Sequence, residues 1–398
     1  MRRTTCGACG YDDLRVVLDL GMSPVADAYT ETPSESAPTH PLQLAVCGGC
    51  HLVQLLEVLP QNELFGTGYS FYSSASAPLS TYHRNYAHEV IERHKLHYGR
   101  IVVEIGCNDG DMLRHFDAAG CRAIGVDPSG GPVKKALERG LDVVNEPFTV
   151  DVAHRIVGDY GQVDAVIANH VLAHVESVSE VLHGVAELLA PDGTAYVEVQ
   201  YLPDLIVNNA FDLIYHEHRN FFSLTTLASA ARRWGLHVRD VELTDRQGGS
   251  LRVALGRGAG RPSASASGLA AAERWLSTAD AYGGLQGRAN RMRDRLLEIV
   301  WSFDRVIGYG APAKATTLIS FCGLDVDDVA YVVDSTPAKQ DRYVPGTGIQ
   351  IVAPRRLDDV AAAVLWSWNY ESEITAQHPE LRERGGRWIV PVPSPRVI

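Results

Sequence analysis

Between residues 101 and 200 the chain alternates short apolar runs with polar, glycine-bearing breaks. Ile101-Val102-Val103 leads into Glu104-Ile105-Gly106-Cys107-Asn108-Asp109-Gly110, and a helical pattern opens at Asp111-Met112-Leu113. Unbroken apolar runs of this length suit strands buried on both faces. A second run, Ala123-Ile124-Gly125-Val126, stops at Asp127-Pro128-Ser129. The pattern then predicts a helix over 133–139, a strand over 142–145, a strand over 163–168, a helix over 178–189 and a strand over 194–199. Such alternation predicts a parallel sheet in an α/β fold.

On either side of this block the pattern differs. Upstream, strand-like stretches at 15–20 and 51–58 flank a polar, Pro-rich loop at 30–41; an aromatic and hydroxyl cluster follows at 69–76, then a helix over 79–95. Downstream, a helical stretch at 202–211 runs into Tyr215-His216-Glu217-His218, and a helix over 224–234 precedes strands at 237–243 and 250–255. These two strands read as an antiparallel hairpin closing the sheet. Residues 257–268, rich in Gly, Ser, Ala and Arg, read as a linker. A long helix is expected within 269–303. A second α/β unit then begins: a strand at 305–309, the turn Gly310-Ala311-Pro312-Ala313-Lys314, a helix over 313–321, and strands at 329–333, 364–367 and 388–390. The chain thus divides at 1–78, 79–256 and 269–398.

Composition narrows the class. A chain of 398 residues exceeds one typical domain, and 45% hydrophobic with 21% charged residues is ordinary for a globular protein. The formal charge of −12 argues against nonspecific nucleic-acid binding. The opening Met1-Arg2-Arg3-Thr4-Thr5 does not read as a secretory signal, and no apolar run reaches membrane-spanning length. A cytoplasmic protein without nucleic-acid or membrane partners is expected.

Four of the seven cysteines form Cys6-x-x-Cys9 and Cys47-x-x-Cys50. Each pair has the spacing of a metal knuckle, and two knuckles can supply four thiolates to one structural zinc. Disulfides are the alternative, which a cytosolic setting disfavours. A four-thiolate site leaves no open position for substrate, so its role is to fold the lobe.

The turn after the first strand suggests a cofactor. A strand running into a Gly-bearing turn, with an acidic residue closing the next strand, is the grammar of nucleotide-binding sheets. Here the turn opens on a carboxylate, which would repel a pyrophosphate and suits the cationic methionine end of S-adenosylmethionine. The segment resembles motif I of class I methyltransferases, with Asn108 in place of the middle glycine. On that reading Glu104, Gly106, Asn108 and Gly110 belong to the cofactor turn, with Glu104 and Gly106 on the methionine side. Asp127 takes the ribose, Phe148 the adenine, and Asn169 lies beside the transferable methyl.

Tyr215-x-Glu217-His218, with His174, forms a second group. Its spacing offers no two-histidine helical face for a metal, and general base chemistry fits an imidazole beside a carboxylate. His170 and His216 read as packing residues. In the third group, the Gly310 turn opens a helix and Lys314 adds charge, an arrangement suited to phosphate. Asp334 and Lys339 follow the next strand, where a nucleoside would be read. A plain strand-to-helix turn or a second redox cofactor are the alternatives there.

Together these motifs, with Tyr69-x-x-Tyr72-Ser73-Ser74, resemble the nucleotide-sugar C-methyltransferases of deoxysugar biosynthesis, most closely the sugar C-3 methyltransferases. The resemblance spans nearly the whole chain. It implies an N-terminal zinc lobe, a central class I Rossmann-like methyltransferase domain and a C-terminal Rossmann-like domain. It also implies methylation alpha to the ketone of a thymidine-diphosphate-linked 4-keto sugar. His218 matches the family's base, Tyr215 and Glu217 its neighbours, and Tyr69 and His174 further pocket residues close to the sugar; Tyr72 and Ser73 go with the substrate. C-5 methylation, or a noncatalytic zinc- and nucleotide-binding scaffold, remain as alternatives.

Overall fold

The computed structural model describes residues 1–33, 37–60, 64, 72–258, 260–278, 280–354, 357 and 360–398. Three sheets organise them. The first is antiparallel, β1 (Leu14–Pro24), β2 (Thr39–Cys47) and β3 (Val53–Leu55), and is extended by β9 (Asn220–Phe221) from the central part of the chain. The first strand runs well past the predicted 15–20. The polar segment expected as loop to residue 41 already pairs as β2 from Thr39.

The second sheet carries β4 (Ile101–Ile105), β5 (Arg122–Val126), β6 (Asp142–Val144), β7 (Val163–Asn169), β8 (Leu189–Gln200), β10 (Leu236–Thr244) and β11 (Ser250–Arg257). Their order is β10-β11-β8-β7-β4-β5-β6. Only β11 pairs antiparallel with both its neighbours, so the hairpin closes the sheet as expected. β4 has Val102, Val103 and Ile105 fully buried, and Glu104 is the one carboxylate in that strand. A helix the apolar pattern had not suggested, Val150–Tyr160, follows β6. Thr149 caps it by accepting Val152 N–H, and Val152, Ala153 and Ile156 form its buried face.

The third sheet has the order β14-β13-β12-β15-β16-β17, from β12 (Val306–Tyr309), β13 (Tyr331–Val333), β14 (Gln350–Val352), β15 (Ala362–Leu365), β16 (Arg387–Val390) and β17 (Arg396–Val397). All pairings are parallel except that of β17. Two expectations around 257–303 are corrected. The expected linker already turns helical at Ala264–Ala272, where Ser263 caps the first turn. The single long helix is instead that helix, a 3₁₀ stretch at Glu273–Ser277 and the helix Leu285–Val300. The break has a physical anchor: the buried Glu273 carboxylate accepts the backbone N–H groups of Leu224 and Thr225 at 2.8 and 2.7 Å, tying this point to the helix Leu224–Arg232.

Candidate active site

Strands β4, β5 and β7 deliver their carboxyl ends to one cleft of about 560 Å³. Its walls include Glu104, Gly106, Asn108, Asp127, Phe148 and Asn169, six of the seven expected cofactor residues. Gly110 is not among the lining residues; its α-carbon packs against Leu141, where a Cβ would lie 2.2 Å from that side chain. Gly106 has φ +74°, and a Cβ there would meet Val171 at 2.5 Å, so the turn requires glycine. Asn108 sits at φ +52°, a region asparagine tolerates better than most residues, which explains how it replaces a glycine.

Hydrogen bonds lock this turn. The Asp127 carboxylate accepts Asn108 N–H at 2.9 Å through one oxygen and Ser129 N–H at 2.8 Å through the other. The Asn108 side-chain oxygen accepts Ser73 N–H at 2.9 Å, so Ser73 closes the cleft beside the cofactor turn. Tyr72 stands next to it with the Lys135 ammonium 5.1 Å from its ring centre. Tyr69 lies outside the described residues.

Two buried acceptors on the cleft wall, Glu104 Oε2 and Asn169 Oδ1, have no hydrogen-bond partner among the described residues. Burial, with Asp111 and Asp127 nearby, pushes the Glu104 carboxyl well above its usual range. A cation is the counter-charge such a site calls for. Glu104, Asp127 and Phe148 line this one cleft together.

The Tyr215–His218 group comes from a loop after the 3₁₀ turn Phe211–Leu213. His218 is buried. Its Nδ1 lies 2.9 Å from the Leu213 carbonyl, which can only accept, so Nδ1 carries the proton. Nε2 therefore accepts the Tyr215 hydroxyl at 2.7 Å. The His174 ring, 5.0 Å away, reaches the cofactor cleft, and its Nδ1 donates to the Glu217 carbonyl at 2.7 Å. Burial keeps both rings neutral: His174 falls to about 4, and His218 well below the imidazole range. The Glu217 carboxyl, buried near Asp27, is pushed up to about 8.

Some cleft residues carry no sequence signal. His170, expected to be packing, lines the cleft with φ +57°, and its Nε2 is 3.3 Å from Glu198. Against burial, His170, Tyr82 and Arg252 hold the Glu198 carboxyl down to about 2. Arg219 also lines the cleft, anchored by a hydrogen bond from Nη2 to Leu59 O at 2.5 Å. Nothing in local periodicity marks either residue. His216 is the packing residue expected, 3.4 Å from the Pro41 carbonyl.

The third group gathers around Ala311. Gly310 has φ +83°, and a Cβ there would strike Ser367 at 2.2 Å. Asp334 accepts Ala311 N–H at 2.6 Å, and Lys339 donates to Ala311 O at 2.7 Å. Tyr29, from the cysteine lobe, donates to the same carbonyl at 2.7 Å; Asp27, Asp334 and Glu217 surround it. Lys314 is placed differently from expectation, with its ammonium turned inward to Asn369 and Trp368.

Cys6, Cys9, Cys47 and Cys50 place their sulfurs within 4.8 Å of one another, with Cys6–Cys50 at 3.5 Å and Cys9–Cys47 at 3.6 Å. Sulfurs about 2.3 Å from a central zinc form a tetrahedron with edges of about 3.8 Å, and these four fit it. None of the four is in a disulfide, and amides of Ala8 and Gly49 face Cys6 and Cys47 at 3.5 and 3.3 Å.

A seven-stranded sheet with this carboxylate-headed turn defines an S-adenosylmethionine-dependent methyltransferase. The comparisons with known proteins agree. The Methyltransferase domain family matches residues 80–241, the C-methyltransferase C-terminal domain family residues 245–393, and the "Putative zinc binding domain" family residues 6–65. C-methyltransferase NovU of Streptomyces niveus is 35% identical, across 99% of this chain and 96% of its own. A ubiquinone biosynthesis O-methyltransferase of Aeromonas salmonicida is 24% identical over 36% of this chain and 66% of its own. Among solved structures, magnesium protoporphyrin IX methyltransferase from Synechocystis PCC 6803 with bound SAH is similar at 16% identity and TM-score 0.37, covering 45% of this chain and 83% of its own.

The chain belongs to the C-methyltransferase family. It is an S-adenosylmethionine-dependent C-methyltransferase with a structural zinc lobe. Among the described residues no helix is long and apolar enough to cross a membrane.

Proposed function

We propose that this cytoplasmic enzyme methylates the carbon alpha to the ketone of a thymidine-diphosphate-linked 4-keto deoxysugar, at C-3. Its units are a zinc lobe with a substrate loop (1–78), a methyltransferase domain (79–256) and a C-terminal sugar-nucleotide-binding domain (269–398). The observation that carries the reading is the Tyr215–His218 pair, held neutral and adjacent to a His174 that lines the cofactor cleft.

A C–H bond beside a ketone breaks when a base takes the proton and the oxygen's growing charge is stabilised. His218 Nε2 is the unprotonated nitrogen, so the proton moves to it, directly or through the Tyr215 hydroxyl. The electron pair of the C–H bond passes into the enolate. Glu217, protonated near neutrality, can donate a hydrogen bond to a sugar oxygen. S-adenosylmethionine supplies the methyl as an electrophile when bound; Glu104, Asp127 and Asn169 orient it. The Gly310 turn, with Asp334, Lys339 and Tyr29, holds the nucleotide diphosphate near Glu217.

Incubation with S-adenosylmethionine and thymidine-diphosphate 4-keto-6-deoxysugars tests this. A gain of one methyl mass, placed at C-3 by NMR, is the expected result. Methyl at C-5 would reassign the position, and no methylated sugar with any of them would discard the sugar reading.

A further inference from the structure

Lys314 begins the second position of the helix Ala313–Cys322, where a phosphate-binding lysine would point out of the turn. Its side chain points the other way. The residue is 8% exposed; Nζ donates to Asn369 Oδ1 at 2.5 Å and lies 4.1 Å from the Trp368 ring centre. The Trp368 indole N–H in turn donates to Asp212 Oδ2 at 2.6 Å. Asp212 is 0% exposed, and its other oxygen has no hydrogen-bond partner among the described residues.

Asp212 opens a three-residue segment whose contacts alternate. Asp212 is held by Trp368. Ile214 is held too, its carbonyl accepting the Thr317 hydroxyl at 2.9 Å from the same helix that carries Lys314. Leu213, between them, gives its carbonyl to His218 Nδ1. The C-terminal unit therefore grips both flanks of the one residue that sets the tautomer of the base.

We propose that Lys314 is a positioning residue: with Trp368 and Thr317 it fixes the 212–214 turn, so the C-terminal unit determines how His218 is protonated and aimed. The proposal rests on the reading of His218 as the base. Its physical content is electrostatic and geometric. A buried carboxylate needs a counter-charge in a low-dielectric site, and the Lys314 ammonium, over the face of the Trp368 ring whose N–H edge meets Asp212, supplies it. Burial, opposed by Asp212, brings the Lys314 ammonium down to about 8. Without that charge, Asp212 must either take up a proton or swing toward water, and either change moves Leu213 and loosens its carbonyl from His218. Nδ1 and Nε2 then share the proton between two tautomers, only one of which can accept from substrate.

The test uses the full-length zinc-loaded chain with ¹⁵N-labelled histidine. In the wild type, His218 is expected to show a single Nδ1–H tautomer. Lys314→Met is expected to give mixed His218 tautomers and about 10–100-fold lower turnover, as misplacement near 1 Å can cost. Its affinity for thymidine diphosphate, measured by calorimetry, stays within about twofold. Unchanged His218 signals overturn the proposal, and a tenfold loss of thymidine diphosphate affinity with unchanged signals makes Lys314 a phosphate ligand instead. If Lys314→Met does not fold, Thr317→Val, which removes one hydroxyl, carries the same tautomer test. Normal turnover in His218→Asn would sink the base reading alone, leaving the tautomer result to decide the positioning.

Discussion

The Tyr215 hydroxyl and His218 Nε2 lie 2.7 Å apart, and the opposite ring nitrogen of His218 is held by the Leu213 carbonyl at 2.9 Å. The two contacts together leave one possible tautomer, with the Nε2 lone pair accepting the Tyr215 hydroxyl. Such a pair can pass a proton toward the histidine, and burial keeps the ring ready to receive it.

Replacing His218 by Asn keeps a hydrogen-bonding side chain and removes the proposed base. Turnover is expected to fall on the order of 10²–10⁴ with both ligand affinities retained. The variant should also fail to exchange solvent deuterium into the carbon beside the ketone, with a nonreactive cofactor analogue bound. Tyr215→Phe loses little if the hydroxyl only positions the sugar, and as much as His218→Asn if it relays the proton. Near-normal turnover in the His218 variant would transfer the role to His174.

The pH profile follows from the shifted groups. His218 and His174 have depressed values, so both are already unprotonated at neutral pH and activity should not fall until pH drops clearly below 6.5. Burial and Asp27 raise Glu217 to about 8, against the lowering pull of Arg219, so its proton is lost as pH rises through 8. The alkaline fall of kcat/KM near 8 should therefore disappear in Glu217→Gln, which keeps a donor at every pH. An unchanged alkaline limb in that variant would remove Glu217 from the reaction.

Glu104→Gln and Asp127→Ala each remove a carboxylate from the cleft wall proposed to hold the cofactor. Hydrogen bonds to charged groups are worth about 1.5–3 kcal/mol, so calorimetry should show S-adenosylmethionine affinity reduced roughly 10- to 100-fold. Thymidine diphosphate affinity should be unaffected. Full cofactor affinity in both variants would contradict the placement of the methionine and ribose ends.

One zinc per chain is expected on metal analysis, and its removal should reach the cofactor cleft. Gly7, inside the first knuckle, accepts Ser179 N–H at 3.2 Å, and Arg3 donates to the Glu176 carbonyl at 3.0 Å. Glu176, Ser177 and Glu180 line the cleft. Chelation should thus unfold the lobe first and lower cofactor affinity with it. An apo protein that binds the cofactor as tightly as the holo form would show the two sites to be uncoupled.

What was legible in the sequence is what short-range chemistry decides. The Glu104–Gly110 turn, the Asp127 that caps the next strand and the two cysteine knuckles each assemble from residues a few positions apart, so type and spacing suffice to place them. Thr149 ahead of Val152, Ala153 and Ile156 is an equally local signal for the helix Val150–Tyr160, though the apolar pattern alone does not predict it. Tertiary structure decided the rest. His170 enters the cleft because Glu198, on the neighbouring strand, holds its ring. Tyr29 reaches Ala311 across the join between the first and third sheets, and Lys314 turns inward because Trp368 and Asp212 wait there. Each of those side chains had several directions open to it in the sequence, and only packing against elements distant in the chain selects one, since burial and counter-charge exist only once those elements meet.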